Sequence, residues 1–109
     1  MITKKMRGKG RREASKYLET LMGAPLSLGA ALSGLREADQ RSLAEFAKLL
    51  GVSRSHLCDI EQWRRSVSPE RAARFAQALE HSEAQLVRLA LQDQIRGAGL
   101  RLTVEVKAA

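Results

Sequence analysis

The chain has 109 residues, of which 44% are hydrophobic and 4% aromatic, so it allows one small domain whose core is mainly Leu and Ala. This composition favours a helical bundle over a β-sandwich, and the single cysteine excludes an internal disulfide. No apolar run reaches the length of a membrane span, and the N-terminus does not resemble a signal peptide. We therefore expect a cytoplasmic protein without a membrane partner.

The positive charge is concentrated at the N-terminus. The formal net charge is +7, and six cations precede the first acidic residue, Glu13, whereas residues 13–109 carry 13 basic and 12 acidic side chains. Residues 1–12 are therefore interpreted as a basic arm that lacks stable structure of its own. The arm either contacts DNA phosphates or is a solvated tail.

Residues 13–26 are predicted to form a helical extension and a linker. Four apolar side chains fall on one side of a helix that would end at Gly23, and this face could pack on the domain, bind a partner or support a dimer. These side chains are Tyr17, Leu18, Leu21 and Met22.

Residues 27–96 are predicted to fold into five helices, and a serine that can cap the first turn precedes each of them. Two of these serines are followed three residues later by Glu or Gln, which makes a capping box. Pro69 and Glu70 suit the first turn of the fourth helix. The capping serines are Ser27, Ser42, Ser53, Ser68 and Ser82.

The second and third helices, between Ser42 and Arg65, are joined by a tight turn at Gly51. On the third helix Leu57 and Ile60 point inward, and polar side chains occupy the opposite side. A helix with donors and acceptors on its outer side and cations just past its end suits the major groove of DNA. The outer side chains are Arg54, Ser55, Cys58, Asp59 and Gln62, followed by Arg64 and Arg65.

The string AEFAKLLGVSRSHL, followed by Ile60-Glu61 and preceded by Leu35-Arg36, resembles the Cro/C1 (XRE) type of helix-turn-helix domain over residues 27–90. Such a resemblance implies an all-α, five-helix, lambda-repressor-like bundle. It also implies an ion pair between Arg36 and Glu61, for which the alternative is two exposed surface charges. One departure is Trp63, which stands where the family usually has glycine.

Residues 97–109 are predicted to contain a dimerisation strand. Leu100, Leu102, Val104 and Val106 alternate with polar residues, as in a half-buried strand. No second strand candidate exists in the chain, so we expect two copies to pair antiparallel across a twofold axis. The alternatives are addition to the sheet of another protein and a frayed tail.

The predicted DNA contacts fall into two groups. Side chains on the third helix are predicted to meet base edges, because arginine suits guanine and aspartate accepts from cytosine. Other polar side chains near the two helices are predicted to hold phosphates. The base-contacting residues are Arg54, Ser55 and Asp59, and the phosphate-contacting residues are Arg41, Ser42, Arg64 and Arg65.

No catalytic site, cofactor site or metal site is expected. His56 and His81 do not lie at metal-binding spacing with Cys58, and no phosphate-cradling glycine loop occurs. Cys58 is interpreted as a small side chain that allows close approach to the groove, with redox sensing as the alternative. His56 either packs on a neighbouring helix or reaches a phosphate.

Three functions are compatible with these features. The first is a DNA-binding transcriptional repressor that acts as a homodimer on a palindromic operator in double-stranded DNA. The second rests on a resemblance to HigA-type antitoxins, which repress their own operon and also bind a small toxin protein. The third is a scaffold that kept the fold without reading bases.

Overall fold

The computed structural model describes residues 26–109, so the predicted basic arm and the predicted helical extension before Leu26 lie outside the described residues. The described part contains five α-helices, and their number agrees with the sequence prediction. They are α1 (Leu28–Ala38), α2 (Leu43–Leu50), α3 (Arg54–Glu61), α4 (Pro69–Leu79) and α5 (Glu83–Gly97).

All five helices begin at the predicted serine caps. Each serine side chain accepts a hydrogen bond from the backbone N–H three residues later, which satisfies one of the free amides of the first turn. Ser42 and Glu45 form a reciprocal capping box at α2. Helix α2 ends at Gly51 with φ 77°, a left-handed conformation that glycine adopts without steric cost.

The core lies where the five helices converge. Helix α1 packs on α3 and α5, α2 packs on α3 and α4, and the α4–α5 pair has the most extensive contact. Burial of these apolar faces is the main favourable term for the fold. The largest fully buried side chains are Phe46, Phe75, Leu26, Leu28, Leu32, Leu57, Leu86 and Leu89.

The predicted C-terminal strand is absent, since no strand occurs within residues 26–109. Leu100 and Leu102 are 49% and 60% exposed, whereas Val104 and Val106 are partly buried. A strand requires a neighbouring backbone, and here the Gln92 side chain replaces it. Its Nε2 donates to the Leu102 carbonyl and its Oε1 accepts from the Val104 N–H, both at 2.8 Å.

Candidate nucleic-acid interface

Helix α3 packs on α2, and the two helices are joined by a turn in which Gly51 adopts a left-handed conformation. Ser53 caps α3 by accepting from the His56 N–H at 3.0 Å. Leu57 and Ile60 are buried in the core, which fixes the rotation of α3 about its axis. The opposite side of the helix is thereby turned to solvent.

The three predicted base-contacting residues lie on this outer side of α3. Arg54 and Ser55 are exposed in the first turn, and Asp59 follows one turn later with its side chain 35% exposed. Base edges carry hydrogen-bond donors and acceptors. The guanidinium can donate to the acceptors, the carboxylate can accept from the donors, and the hydroxyl can do either. The outer side of α3 therefore presents to solvent the donor and acceptor groups that base readout requires.

Two residues predicted for different roles contact each other. Arg64 donates through Nε to Asp59 Oδ1 at 3.1 Å, and its NH2 lies 3.0 Å from the same oxygen. The NH2 group also lies 3.8 Å from the Cys58 sulfur. In the free chain, Arg64 therefore pairs with the Asp59 carboxylate, which is predicted to accept from cytosine. If Asp59 contacts a base, it must share Arg64 or exchange it for that base.

The other predicted phosphate contacts are also at the surface. Arg41 is exposed, and its Nε lies 3.7 Å from Asp39 Oδ2. Ser42 accepts through Oγ from the Glu45 N–H at 3.1 Å, and its own N–H donates to Glu45 Oε1 at 2.9 Å. Hydrogen bonds from Ser42 lower the pKa of the Glu45 carboxyl. Arg65 is exposed in the loop after α3.

Arg36 and Glu61 are brought together in a two-point contact. Arg36 Nε donates to Glu61 Oε2 at 3.0 Å, and NH2 donates to Oε1 at 3.1 Å. The two side chains are 18% and 6% exposed, and the hydrogen bond to Glu61 raises the pKa of Arg36. The remaining Arg36 nitrogen donates to the Arg41 carbonyl at 3.3 Å. The contact joins α1 to the end of α3 and to the last residue of the turn before α2.

His56 packs against α4. Its Nε2 lies 3.1 Å from Arg71 NH1, and because a guanidinium only donates, Nε2 is the acceptor and the imidazole is neutral. Burial lowers the pKa of His56, and the charges of Arg65 and Arg71 lower it further, while Asp59 opposes the shift. Of the two roles considered for His56, the structure shows the helix contact.

Two contacts that position α1 were not identified from the sequence. A Cβ at Gly29 would clash with the Ile60 carbonyl oxygen, so α1 and α3 approach closely only because this residue is glycine. Asp93 Oδ2 on α5 accepts from the Leu28 N–H at 3.0 Å, and burial raises the pKa of this carboxyl. Both contacts join residues far apart in the sequence, so no local pattern indicates them.

Trp63, the residue that departs from the family pattern, adopts a left-handed backbone with φ 65°. A bulky residue in this conformation costs about 1–2 kcal/mol relative to the right-handed form. The residue is nevertheless 64% exposed, so burial in the core does not compensate for the strain. The turn after α3 keeps the geometry that glycine would allow, with an indole at its surface.

The described residues contain no group of three or more His, Cys, Asp or Glu side chains that could hold a metal ion. Within residues 26–109, no helix combines the length and apolar character that crossing a membrane requires.

Comparison with known proteins identifies the family. The family described as "Helix-turn-helix domain" matches residues 27–89. Among solved structures, the clp gene regulator ClgR from Corynebacterium glutamicum matches with a TM-score of 0.50 and 33% sequence identity, over 66% of this chain and 78% of that chain. A search of curated proteins found no match. The chain thus belongs to the helix-turn-helix family of DNA-binding domains.

Proposed function

We propose that this protein is not an enzyme but a transcription regulator that binds double-stranded DNA sequence-specifically and represses from a palindromic operator. The observation that carries the proposal is the outer side of α3, where Arg54, Ser55 and Asp59 stand free of the core. The similarity to a gene regulator supports the same role.

The proposed DNA contacts divide between bases and phosphates. Arg54 reads guanine, because its guanidinium can donate to two acceptors on one base edge. Ser55 and Asp59 contact neighbouring bases, and Arg64 moves from Asp59 to a phosphate as the complex forms. The remaining phosphate contacts, on either side of the groove, are made by Arg41, Ser42 and Arg65.

Selection of bound sequences from a random pool of duplex DNA tests this function. The full chain is expected to enrich an inverted repeat whose half-sites lie about one helical turn apart. Enrichment of a single half-site would still support sequence-specific binding, but it would contradict binding as a dimer. Failure to enrich any sequence, with binding to random DNA intact, would contradict sequence-specific regulation and favour a scaffold that kept the fold.

The homodimer is proposed to form through residues 100–106. Gln92 bonds to the backbone of Leu102 and Val104 on one edge of this segment. Successive residues of an extended chain direct their backbone groups to opposite edges, so the edge that carries the Thr103 backbone groups is the one proposed to pair with a second copy. Exposed Leu100 and Leu102 would then become buried between the copies.

Analytical ultracentrifugation of Thr103→Pro and Thr103→Val tests the dimer contact. Proline removes the backbone donor of residue 103 and is expected to shift the equilibrium towards monomer, whereas valine keeps the donor and is expected to preserve the dimer. Equal dimerisation of both variants would exclude this edge as the interface.

An antitoxin is the second candidate, and exposed Leu100 and Leu102 favour it because they offer an apolar edge to a different protein. The proposed partner is a small toxin. Co-expression with the product of the adjacent gene distinguishes the two functions. Co-purification of a small basic protein, abolished when residues 100–109 are removed, would support the antitoxin.

A further inference from the structure

The turn after α3 carries Arg64 back over Asp59. The Trp63 N–H donates to the Ile60 carbonyl at 3.2 Å, and the next N–H, that of Arg64, donates to the Asp59 carbonyl at 2.8 Å. Together with φ 65° at Trp63, these two bonds make a Schellman motif. In such a motif the residue after the left-handed position frequently makes an apolar contact with the last turn of the helix. Here that residue is Arg64, and its contact with Asp59 is an ion pair.

The Asp59–Arg64 pair has no net charge and is open to solvent. Arg64 places two nitrogens on one carboxylate oxygen, with Nε 3.1 Å and NH2 3.0 Å from Asp59 Oδ1. The Asp59 side chain is 35% exposed and that of Arg64 is 59% exposed. Solvent screens a pair of this kind, so either charge can take another partner at little cost. Each has a proposed partner in DNA, a cytosine amino group for Asp59 and a phosphate for Arg64.

These two DNA partners lie too far apart for one guanidinium to bridge them. Base edges form the floor of the major groove and phosphates lie along its rim, and the groove is about 8.5 Å deep. Arg64 therefore cannot stay on a carboxylate that faces a base and contact a phosphate at the same time. To bind a phosphate it must leave Asp59.

We propose that Asp59 determines specificity at one base pair by controlling whether Arg64 is free to bind a phosphate. The inference rests on the proposed reading of bases by α3. At a site with cytosine, the amino group of the base takes the place of the guanidinium on the carboxylate, and Arg64 is released to the backbone.

A base without a donor has the opposite effect. Arg64 could then reach a phosphate only by leaving the Asp59 carboxylate unpaired in a groove between two rows of phosphates. An unpaired charge that loses its water is costly, and like charges repel it further, so Arg64 remains on Asp59. One base pair thus decides two contacts, and a phosphate contact becomes dependent on sequence.

The salt dependence of DNA binding tests this coupling. Each phosphate that a cation neutralises adds about 0.9 to the slope of log affinity against log salt concentration. Arg64→Ala/Asp59→Asn removes both charges of the pair and leaves the net charge of the chain unchanged. On the DNA site selected by the natural chain, the slope of this double variant is expected to be smaller by about 0.9. On random duplex DNA, the two proteins are expected to have equal slopes, because Arg64 does not contact a phosphate there.

Arg41→Ala/Asp39→Asn is the matched control. Arg41 is also a proposed phosphate contact and lies 3.7 Å from the Asp39 carboxylate, but Asp39 has no proposed base partner. This variant again leaves the net charge unchanged. Its slope is expected to be smaller than that of the natural chain by about 0.9 on both duplexes.

Selection from a random DNA pool with Asp59→Asn identifies the base. The variant is expected to lose the preference for cytosine at one position of each half-site and to keep the guanine that Arg54 reads. Asp39→Asn removes the same charge away from α3 and is expected to keep both preferences.

Two results would overturn the inference and leave the proposed function intact. The first is an Arg64→Ala/Asp59→Asn slope that falls by the same amount on both duplexes, or on neither, since Arg64 would then act independently of the base. The second is a cytosine preference that survives Asp59→Asn. If the natural chain selected no sequence at all, the proposed function would fail, and this inference with it.

Discussion

At the scale of single residues, Arg36 has the contact with the clearest energetic consequence. Its guanidinium satisfies both oxygens of Glu61, whose side chain is only 6% exposed. Arg36→Met would leave this carboxylate poorly solvated and without its partner, so we expect a decrease of about 1–3 kcal/mol in the free energy of unfolding. Urea denaturation measures the decrease.

Arg41→Met is the matched control for that measurement. Arg41 lies 3.7 Å from Asp39, and the two side chains are 43% and 59% exposed, so solvent screens their interaction. We expect a change of no more than about 0.5 kcal/mol in the free energy of unfolding. Equal decreases for the Arg36 and Arg41 variants would show that burial of the Arg36–Glu61 pair has no special effect.

His56 makes stability depend on pH. The fold lowers the pKa of this imidazole below its ordinary value of 6.5, chiefly by burial, so the unfolded chain binds more protons as the pH falls. The stability contributed by neutral His56 is fully present above pH 6.5 and is lost as the pH falls from there towards the folded pKa.

We therefore compare the free energy of unfolding at about pH 7.5 and about pH 5 in the natural chain and in His56→Gln. The decrease on acidification is expected to be larger in the natural chain, because glutamine keeps an acceptor but does not titrate. Both proteins contain His81, so a difference between the two curves is assigned to residue 56. Parallel pH curves for the two proteins would rule out His56 as the titrating group.

At the scale of helices, the approach of α1 to α3 depends on Gly29. Adding a methyl group there places it against the Ile60 carbonyl, which is backbone and cannot rotate away. Gly29→Ala is expected to cost about 1–3 kcal/mol, as overpacking does, and to weaken DNA binding by displacing α3. Thermal unfolding and DNA affinity measure the two effects.

Gly97→Ala controls for helix propensity. Apart from the backbone of its own helix and its chain neighbours, nothing lies within 4 Å of a Cβ at this position, and Gly97 is the last residue of α5. Alanine favours the helix by up to about 1 kcal/mol, so this variant is expected to be neutral or more stable. If Gly29→Ala were as stable as Gly97→Ala, the fold would not require glycine at position 29 for the packing of α1 on α3.

The helices were predictable because their signals are local. Each serine cap, the Ser42–Glu45 box and the Gly51 turn involve residues no more than a few positions apart. The outer side of α3 followed from the spacing of Leu57 and Ile60. By contrast, the Asp93–Leu28 bond joins residues 65 positions apart, and such contacts depend on how the helices pack.

The predicted C-terminal strand does not form within the described chain, for a different physical reason. Alternation of apolar and polar residues indicates a strand only if another backbone can pair with it. Within the described chain that partner is one side chain, Gln92, which satisfies two backbone groups but cannot continue a ladder. The periodicity of residues 100–106 cannot indicate that a side chain, and not a second backbone, is their hydrogen-bond partner.

At the scale of the whole molecule, charge is distributed asymmetrically. Six cations lie in residues 1–12, while the remaining residues are nearly balanced. If the basic arm contacts DNA, its removal should reduce the slope of log affinity against log salt concentration by about 0.9 for each phosphate that the arm neutralises. Fluorescence anisotropy over a range of salt concentrations measures the slope, and an unchanged slope would exclude the arm from the complex.

Base reading by the outer side of α3 is central to the proposed function. The most direct test measures the affinity of Arg54→Ala for two duplexes, the DNA site selected by the natural chain and random DNA. We predict that affinity for the selected site falls by an amount equivalent to about 1–3 kcal/mol, while affinity for random DNA falls much less. Arg65→Ala should weaken binding to both duplexes alike, since phosphates carry no sequence information. An equal decrease on both duplexes for Arg54→Ala, or no decrease on either, would contradict base reading by α3.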